Sequence, residues 1–432
     1  MSRKDPEGAV PQVEPKEKAG YVTQTRAYKV ITPLYGGGEE TGKADSITVV
    51  RGTEVRGHLR FWWRATRGGA FDGDLQKMKQ REEEIWGSSG EKGKHGPSRI
   101  SVRIVDWQKG NLIQKKEIST KQGKQQVEIA DPKSPWSYVA FPLRKDEKKP
   151  AGSVLMDVFF KLIVTYPNDL TKDIEAALWA WETFGGIGAR TRRGFGALQC
   201  TEGEHSPLPA LQNVKEMIGN GLNEYVASGH WPVGVPHLKR DLRFKITAKK
   251  DVALSAWESV FSSLQKFRQQ RYESKYGLSQ WPEANAIRKL HEKDAKLPKE
   301  TPNVVVVERF PRAKFGLPIQ FNMPHDKELP ETLSLQGRRI ENGKDKWYDR
   351  LASPLILRPI ACSDGAVGLA AILEWEPMDS NDSPYTPPGG LVLKGGANDY
   401  PVKSDLTSAE ASQIPPLHGQ TDVLQAFLDF LK

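Results

Sequence analysis

The stretch GGIGARTRRGFGALQC, residues 185–200, follows a segment with helical spacing and leads into a strand-like segment. Five glycines in these sixteen residues let the backbone approach a neighbouring group closely. Arg190, Arg192 and Arg193 add positive charge to the same loop. A loop of this kind can bring backbone N–H groups to a phosphate chain while its arginines neutralise that chain. A tight structural turn with incidental charge is the alternative interpretation.

The segments before this loop predict a ferredoxin-like fold. Apolar and β-branched runs indicate strands at 26–34, 99–107 and 154–166, and helical spacing indicates helices from Thr53 to Gly69 and over 172–184. With the strand after the loop, the order is strand, helix, two strands, helix and strand. This is the split βαβ, or ferredoxin-like, order, here with long polar insertions.

The pattern starts again after a Pro- and Gly-marked link at 229–236. Strands are predicted at 242–248, 304–307, 317–321, 355–360 and 367–375, with helices at 252–272 and 422–432. The sequence therefore predicts an α+β protein of two ferredoxin-like (RRM-like) domains with insertions. We expect a disordered tail over 1–20, an N-terminal domain over 21–205, a helical linker over 206–240 and a C-terminal domain over 241–432.

The composition favours a polyanionic partner. Lysine and arginine number 63 against 54 acidic residues, a formal net charge of +9 over 432 residues, and nucleic acid is the leading candidate. No run approaches the roughly 18 apolar residues of a membrane span, and the first twenty residues hold no signal-peptide core. The two cysteines, Cys200 and Cys362, exclude a disulfide framework or a zinc ribbon. We expect a cytoplasmic protein with no membrane partner.

The helix predicted from Thr53 carries a basic stripe. At about 100° per residue, Arg56, Arg60, Arg64 and Arg67 fall within one arc of roughly 80°. Val55, Leu59, Trp62, Trp63 and Thr66 form the neighbouring apolar face, and we expect Trp62 to be packed more deeply than Trp63, which borders the stripe. A solvated face above core tryptophans is the alternative. Because the loop after a second ferredoxin-like helix can lie near the first helix, we expect one continuous basic groove from both elements.

Other motifs fail. Residues 37–44 approach the phosphate-binding G-x-x-x-x-G-K-[ST], but Ala44 lacks the hydroxyl that holds Mg²⁺ and no helix follows. Residues 193–196, RGFG, match the opening of an RRM signature, but Ala197 replaces its next aromatic residue. The eight histidines show no metal-ligand spacing. We therefore expect no metal site and no small-molecule cofactor.

Three stretches together resemble one known family. ITPLYGGG (31–38), RGTEVRGHLRFWWRATRGG (51–69) and GGIGARTRRGFGAL (185–198) are similar to the RAMP superfamily of type III CRISPR effector subunits. Within that superfamily they look like the first-subunit family of the Cmr (type III-B) complex. In the second half, only ERFPRAKFGLPIQF (308–321) and SPLILRPI (353–360) look similar to it.

The resemblance implies a non-catalytic subunit that binds guide RNA near its 3′ end in an antiviral ribonucleoprotein. The implied partners are guide RNA, target RNA and other RAMP subunits, with catalysis in other subunits. The candidate RNA-binding residues lie in the two glycine-rich breaks and on the arginine helix: Gly36, Gly37, Arg51, Arg56, Arg60, Trp63, Arg64, Arg67, Gly188, Arg190, Arg192, Arg193 and Phe195.

Two alternatives remain from the sequence. One is a metal-independent endoribonuclease of the RAMP type that processes guide RNA, with His58 as the base and Lys29 or Lys43 as its partner. A structural histidine is the plainer interpretation of His58, because it lies away from most of the stripe. The other alternative is an assembly module that contacts only protein.

Overall fold

A computed structural model describes residues 19–36, 45, 47–88, 96–121, 123–147, 149–203, 206–273, 278–291, 307–323, 329–330, 332–341, 344–348, 350–375, 390–395 and 398–432. The first half contains β1 (Tyr21–Val30), α1 (Gly52–Arg67), α2 (Leu75–Trp86), β2 (Ser101–Gln108), β3 (Asn111–Ile113), β4 (Lys115–Thr120), β5 (Gly123–Glu128), β6 (Val154–Met156), β7 (Phe159–Pro167), α3 (Thr171–Phe184) and β8 (Leu198–Glu202).

The remaining elements are α4 (Val214–Tyr225), β9 (Phe244–Ile246), α5 (Ala253–Arg268), α6 (Glu283–Leu290), β10 (Ile319–Asn322), β11 (Thr332–Glu341), β12 (Lys344–Tyr348), β13 (Leu355–Cys362), β14 (Gly365–Ile372), β15 (Leu391–Lys394), β16 (Tyr400–Val402), α7 (Ser408–Ser412) and α8 (Val423–Phe430).

The first half has ferredoxin-like topology. Its sheet has the strand order β2-β7-β1-β8, and all three pairings are antiparallel. Alternate residues of the central strands, such as Tyr28, Phe160 and Leu162, are fully buried in the core that they share with α1 and α3. This inward alternation is what a sheet with one covered face requires. The short β3-β6 and β4-β5 ladders form the insertion between β2 and β7.

The second half repeats three strands of this arrangement. Its sheet runs β13-β14-β9, again antiparallel, and α5 buries Trp257, Val260 and Phe261 in the same core as Leu357 of β13. A second sheet, β10-β11-β15-β16 with β12 on β11, is inserted into this half. The mixed helix and sheet content confirms the predicted α+β class with two ferredoxin-like halves and insertions.

Most predicted elements are present with shifted ends. The strand predicted at 154–166 divides into β6 and β7, and the helix expected from Thr53 begins at Gly52 with Arg51 as its N-cap residue. The predicted tail lies almost entirely outside the described residues, as do positions 304–306 of one predicted strand. The division of the chain at 205 and 240 stays a prediction.

The two tryptophans of α1 correct one expectation. Trp63 is fully buried and its Nε1 donates a 2.9 Å hydrogen bond to Asp173 Oδ1 of α3, whereas Trp62 keeps 4% exposure. Trp63 is therefore the more deeply packed of the two, because α3 covers the edge of α1 that the sequence suggested was open. In this position Trp63 supports the packing of α1 on α3, and its role as a binding residue stays a prediction.

Arg358 of β13 joins the two halves. It is 2% exposed, and its guanidinium donates to three main-chain carbonyls of the first half: Glu182 O at 2.6 Å, Gly185 O at 2.9 Å and Leu198 O at 2.8 Å. The carbonyls of Glu182 and Gly185 belong to the last turn of α3 and its C-cap, where an α-helix leaves carbonyls without internal donors. A cation there also opposes the negative end of the helix dipole. Burial lowers the pKa of Arg358 to about 10, so the charge is held in a dry environment by these acceptors.

We predict that Arg358→Ala strongly destabilises the protein. Three buried carbonyls would lose their donor, at about 1 to 3 kcal/mol each, so denaturant unfolding should show a loss of about 3 kcal/mol or more. Arg358→Lys should recover only part of this loss, since one ammonium cannot match the forked geometry of the guanidinium. Arg103→Ala is the matched control, because Arg103 lies exposed on an edge strand. An Arg358→Ala protein as stable as this control would contradict the assignment.

We also predict that both α1 tryptophans support the core. Truncating a buried tryptophan costs about 3 to 5 kcal/mol, and Trp63→Ala should lose at least as much as Trp62→Ala because it also loses the hydrogen bond to Asp173. Urea unfolding of the two variants measures the ranking. A clearly smaller loss of unfolding free energy in Trp63→Ala would contradict the packing of α3 over Trp63.

Candidate nucleic-acid interface

The arginine stripe of α1 is largely neutralised by neighbouring helices. Glu82 of α2 accepts from both Arg60 Nη2 at 2.8 Å and Arg64 Nη1 at 2.5 Å. Arg67 Nε lies 3.5 Å from Asp173 Oδ1 of α3. Because these ion pairs are partly buried, they hold the three arginine side chains against the neighbouring helices. These three arginines therefore serve mainly to attach α2 and α3 to α1.

Two arginines near the N-terminus of α1 differ in their partners. Arg51, at the N-cap of α1, pairs with Asp45. Arg56 forms no hydrogen bond or ion pair with any residue that the structure describes, and burial, followed by the charge of Arg60, lowers its pKa. Arg56 is thus the stripe arginine that remains available to an anion.

The glycine-rich loop 185–196 packs against a different face of α1. Gly188 donates its N–H to Glu54 Oε1 at 2.7 Å, and the Arg192 guanidinium lies 5.4 Å from the centre of the Phe61 ring. Glu54 and Phe61 lie more than about 100° round α1 from the centre of the stripe. The loop thus contacts α1 beside the stripe and not on it, and the single continuous groove expected from the sequence stays a prediction.

At two of the predicted site glycines, the chain lies so close to a neighbouring segment that a side chain would not fit. Gly188 has φ +82°, and a Cβ there would lie 2.5 Å from Leu34 Cδ1 and 2.7 Å from Tyr35 O. Gly36 has φ +79°, and a Cβ on it would lie 2.8 Å from Ala189 Cβ. The two glycine-rich breaks thus lie against each other, and Ala189 N donates to Tyr35 O at 2.8 Å. Gly37 lies outside the described residues.

Phe195 is a core residue. It is fully buried, with its ring centre 5.0 Å from those of Tyr35 and Trp257. Trp257 belongs to α5, and its Nε1 donates to Arg193 O at 2.7 Å. The loop of the first half therefore inserts into the core of the second half. Phe195 therefore supports the core in this structure, and its role as an RNA contact stays a prediction.

Two loop arginines bind main-chain carbonyls of the second half. Arg192 Nη1 donates to Ser353 O at 2.6 Å, and Arg193 donates to Leu355 O at 3.0 Å and Phe315 O at 3.3 Å. Burial lowers the pKa of Arg192 to about 10 and, with further lowering from neighbouring arginines, that of Arg193 to about 9. Both residues combine a structural role with a charge that no carboxylate of the described residues offsets.

Arg190 is the least satisfied of the loop arginines. Its backbone is left-handed, with φ +57°, and its guanidinium carbon lies 4.6 Å from the centre of the Phe141 ring. Phe141 is 55% exposed, so this pair reaches the surface. Among the described residues, the buried Nε of Arg190 has no acceptor, and burial lowers the pKa of Arg190. Arg190 therefore keeps donor capacity for an anion.

The second half contributes two more arginines to the same place. Arg268, at the end of α5, donates to Tyr138 Oη at 2.9 Å, while its Nε has no acceptor within the described ranges. Arg268 lowers the pKa of Arg193, and the exposed Arg350 lowers that of Arg190, because like charges oppose each other at close range. We call these five residues the junction cluster: Arg190, Arg192, Arg193, Arg268 and Arg350.

The junction cluster and the stripe differ in charge compensation. Within the part of the chain that the structure describes, no arginine of the junction cluster forms an ion pair with a carboxylate, whereas four of the five arginines of the α1 segment do. A mostly apolar cavity of about 160 Å³ opens beside Arg192, lined also by Lys314, Leu351, Pro354, Leu373 and Trp375. The arrangement offers forked donors and an exposed aromatic ring to a polyanion with planar groups.

Two of the five arginines of the junction cluster, Arg268 and Arg350, were not predicted from the sequence. Arg268 was hidden because it ends an ordinary amphipathic helix, and Arg350 because it precedes a strand without any motif. Arg358 did carry a signal, since it interrupts the apolar run of β13 at a buried position. A charged residue inside such a run is almost never buried without partners.

His58 lies on the side of α1 that faces the loop. Its Nε2 is 3.8 Å from Glu54 Oε1, the same oxygen that accepts the Gly188 N–H. No hydrogen bond or ion pair between His58 and Lys29 occurs in the described structure, and Lys43 lies outside it. His58 therefore has a structural role beside Glu54, which binds the loop.

No helix among the described residues is both long and apolar enough to span a bilayer.

Comparisons with known proteins find similar sequences for part of this chain. Residues 27–199 match the RAMP superfamily. The Cmr subunit Cmr1-1 of the CRISPR system of Pyrococcus furiosus is 25% identical over 184 residues, 41% of this chain and 47% of that protein. Cmr1-2 of the same organism is 27% identical over 181 residues, 40% of this chain and 91% of that protein. The match thus spans about half the length of the first relative.

Two solved structures are similar at low sequence identity. Cmr1 from Pyrococcus furiosus in its apo form has a TM-score of 0.47 and 15% identity, over 84% of this chain and 92% of that one. A chain of the type III-B Cmr-beta complex bound to cognate target RNA has a TM-score of 0.46 and 12% identity, over 95% of this chain and 100% of that one. Residues 27–199 of this chain thus match the RAMP superfamily, and about 40% of the chain is similar in sequence to Cmr1 subunits of a CRISPR Cmr system.

Proposed function

We propose that this chain is a guide-RNA-binding subunit of a type III-B CRISPR effector complex and that it does not itself cut RNA. In this proposal it acts in the cytoplasm, near the 3′ end of the guide, beside guide RNA, target RNA and other RAMP subunits. The homology to proteins named as Cmr1 subunits supports its membership of such a complex. The observation that carries the RNA-binding role is the junction cluster.

The charge balance of the junction cluster favours an anionic ligand. Surface arginines commonly pair with nearby carboxylates, as Arg60 and Arg64 do with Glu82. Arg190 and Arg268 have buried Nε atoms without acceptors in the described structure and, unlike Arg67 of the stripe, form no ion pair with a described carboxylate. A buried donor without an acceptor costs free energy, and a phosphodiester supplies several acceptor oxygens at once. The guanidinium fork suits two of those oxygens.

The surroundings of the cluster favour a single strand. Phe141, exposed and in contact with Arg190, offers a ring on which a base can stack, and base stacking on aromatic rings tolerates any sequence. The apolar cavity beside Arg192 gives unpaired bases a second surface. Because backbone contacts dominate such an interface, we expect little preference for nucleotide sequence.

We predict a steep salt dependence of RNA binding. If five phosphates contact the junction cluster, counterion release from a single strand lowers the affinity about 100-fold between about 50 and 200 mM salt. Filter binding of a labelled single-stranded RNA to the full chain measures this slope. A flat titration over that range would favour an assembly module that contacts only protein.

We further predict that the two arginine groups differ in function. Arg190→Ala should weaken RNA binding and reduce the salt slope by about one unit, with little change in melting temperature. Arg64→Ala is the matched control: it removes one arginine whose charge Glu82 already offsets, so RNA affinity should be nearly unchanged. Equal losses of affinity in both variants would show that the stripe also binds RNA and would contradict the proposed difference between the two arginine groups.

The endoribonuclease alternative is tested directly. We expect repeat RNA to stay intact when incubated with the full chain in EDTA, because His58 faces Glu54 and the loop backbone. Gel analysis of the RNA after incubation is the measurement. Specific cleavage that disappears in His58→Ala would establish the nuclease and replace the proposal that this chain only binds.

A further inference from the structure

The junction cluster brings arginines of both halves to one contact: Arg193 of the first half donates to Leu355 O of the second, and Arg268 of the second half donates to Tyr138 Oη of the first. Arg190, Arg192 and Arg193 come from the loop of the first half, whereas Arg268 and Arg350 come from the second half. Each half therefore presents arginines to the other. Carbonyls such as Ser353 O and Leu355 O accept hydrogen bonds from this cluster but carry no net charge to offset it.

The same contact also contains strongly favourable interactions. Arg358 binds three carbonyls of the first half, and Trp257 donates to Arg193 O. The docking of the halves is thus a balance between buried hydrogen bonds, which favour it, and arginine repulsion, which opposes it. A multivalent anion placed among the arginines changes this balance, because it attracts the members from both halves at once.

From this balance we infer that the junction cluster is a bridging phosphodiester site, whose occupation by RNA tightens the docking of the two halves. This inference rests on the proposed function and adds a mechanical consequence to it. In the free chain, repulsion among these arginines makes the contact between the halves less stable. The RNA backbone supplies negative charge that removes this repulsion. A ligand that binds preferentially to the form with both halves in contact must stabilise that form.

Arg350 provides the cleanest test of the repulsion. Its side chain is exposed, it lowers the pKa of Arg190 through charge alone, and no hydrogen bond or ion pair joins it to the described residues. Arg350→Gln should therefore raise the melting temperature of the free chain at low salt by about 1 °C or more. The gain should shrink at high salt, because salt screens exposed charges. Arg350→Lys keeps the charge and should match the wild type.

The second arm measures what the ligand does. Pyrophosphate and a ten-nucleotide oligouridylate are added separately to the full chain, and melting temperature and hydrogen–deuterium exchange are recorded. Oligouridylate should raise the melting temperature and slow exchange in segments 186–196 and 353–358. Pyrophosphate should give a smaller effect of the same sign, and Arg350→Gln should reduce both effects. Arg64→Gln is the control, and we expect it to lower the free melting temperature while leaving the ligand effect intact.

Two results would overturn this inference. A lower or unchanged melting temperature in Arg350→Gln would overturn the repulsion, and ligand stabilisation without slower exchange in either segment would overturn the bridging. If the wild type binds RNA and the variants behave in either of these ways, this inference fails while the proposed function stands. If the wild type binds no RNA, the proposed function fails first.

Discussion

The Arg358 guanidinium, held in the dry contact between the halves by three carbonyls of the first half, is the interaction on which the arrangement depends. It ends α3 by occupying carbonyls of the last turn and its C-cap, and it ties that end to the beginning of β8. The glycine-rich loop spans these same two points. The loop therefore has fixed ends, and its own residues, Phe195 above all, are drawn into the core of the second half. The arginines proposed to bind RNA are consequently placed on a rigid support.

The arginines of this chain fall into groups that look alike in sequence. Arg358 is surrounded by carbonyls, Arg60 and Arg64 share a carboxylate, and Arg190 has a buried donor that no described residue satisfies. The first arrangement joins the halves, the second joins neighbouring helices and the third leaves capacity for a ligand. Net charge alone cannot separate these roles, since each arginine counts equally in it. The partner that surrounds each guanidinium decides which role it performs.

Sequence patterns predicted the fold better than the site. The alternation of β7 and the spacing of α3 are local properties, so the ferredoxin-like order could be predicted from them, and the loop at 185–196 was placed correctly between α3 and β8. The exposure of Trp63 and Phe195 depends on which distant elements pack against them. Asp173 and α3 cover Trp63, and Trp257 of α5 covers Phe195. Arg268 joins the site only through tertiary structure, so no local pattern could indicate it.

We propose that RNA contacts the junction between the halves and leaves the arginine stripe of α1 free. Photo-crosslinking of the full chain to single-stranded RNA that carries 4-thiouridine, followed by mass spectrometry of the linked peptides, locates the contact directly. The account predicts links in the peptides that contain Phe141 and Arg190, and fewer in those of α1. Links concentrated on α1 between Arg60 and Arg67, with none at the loop, would contradict it.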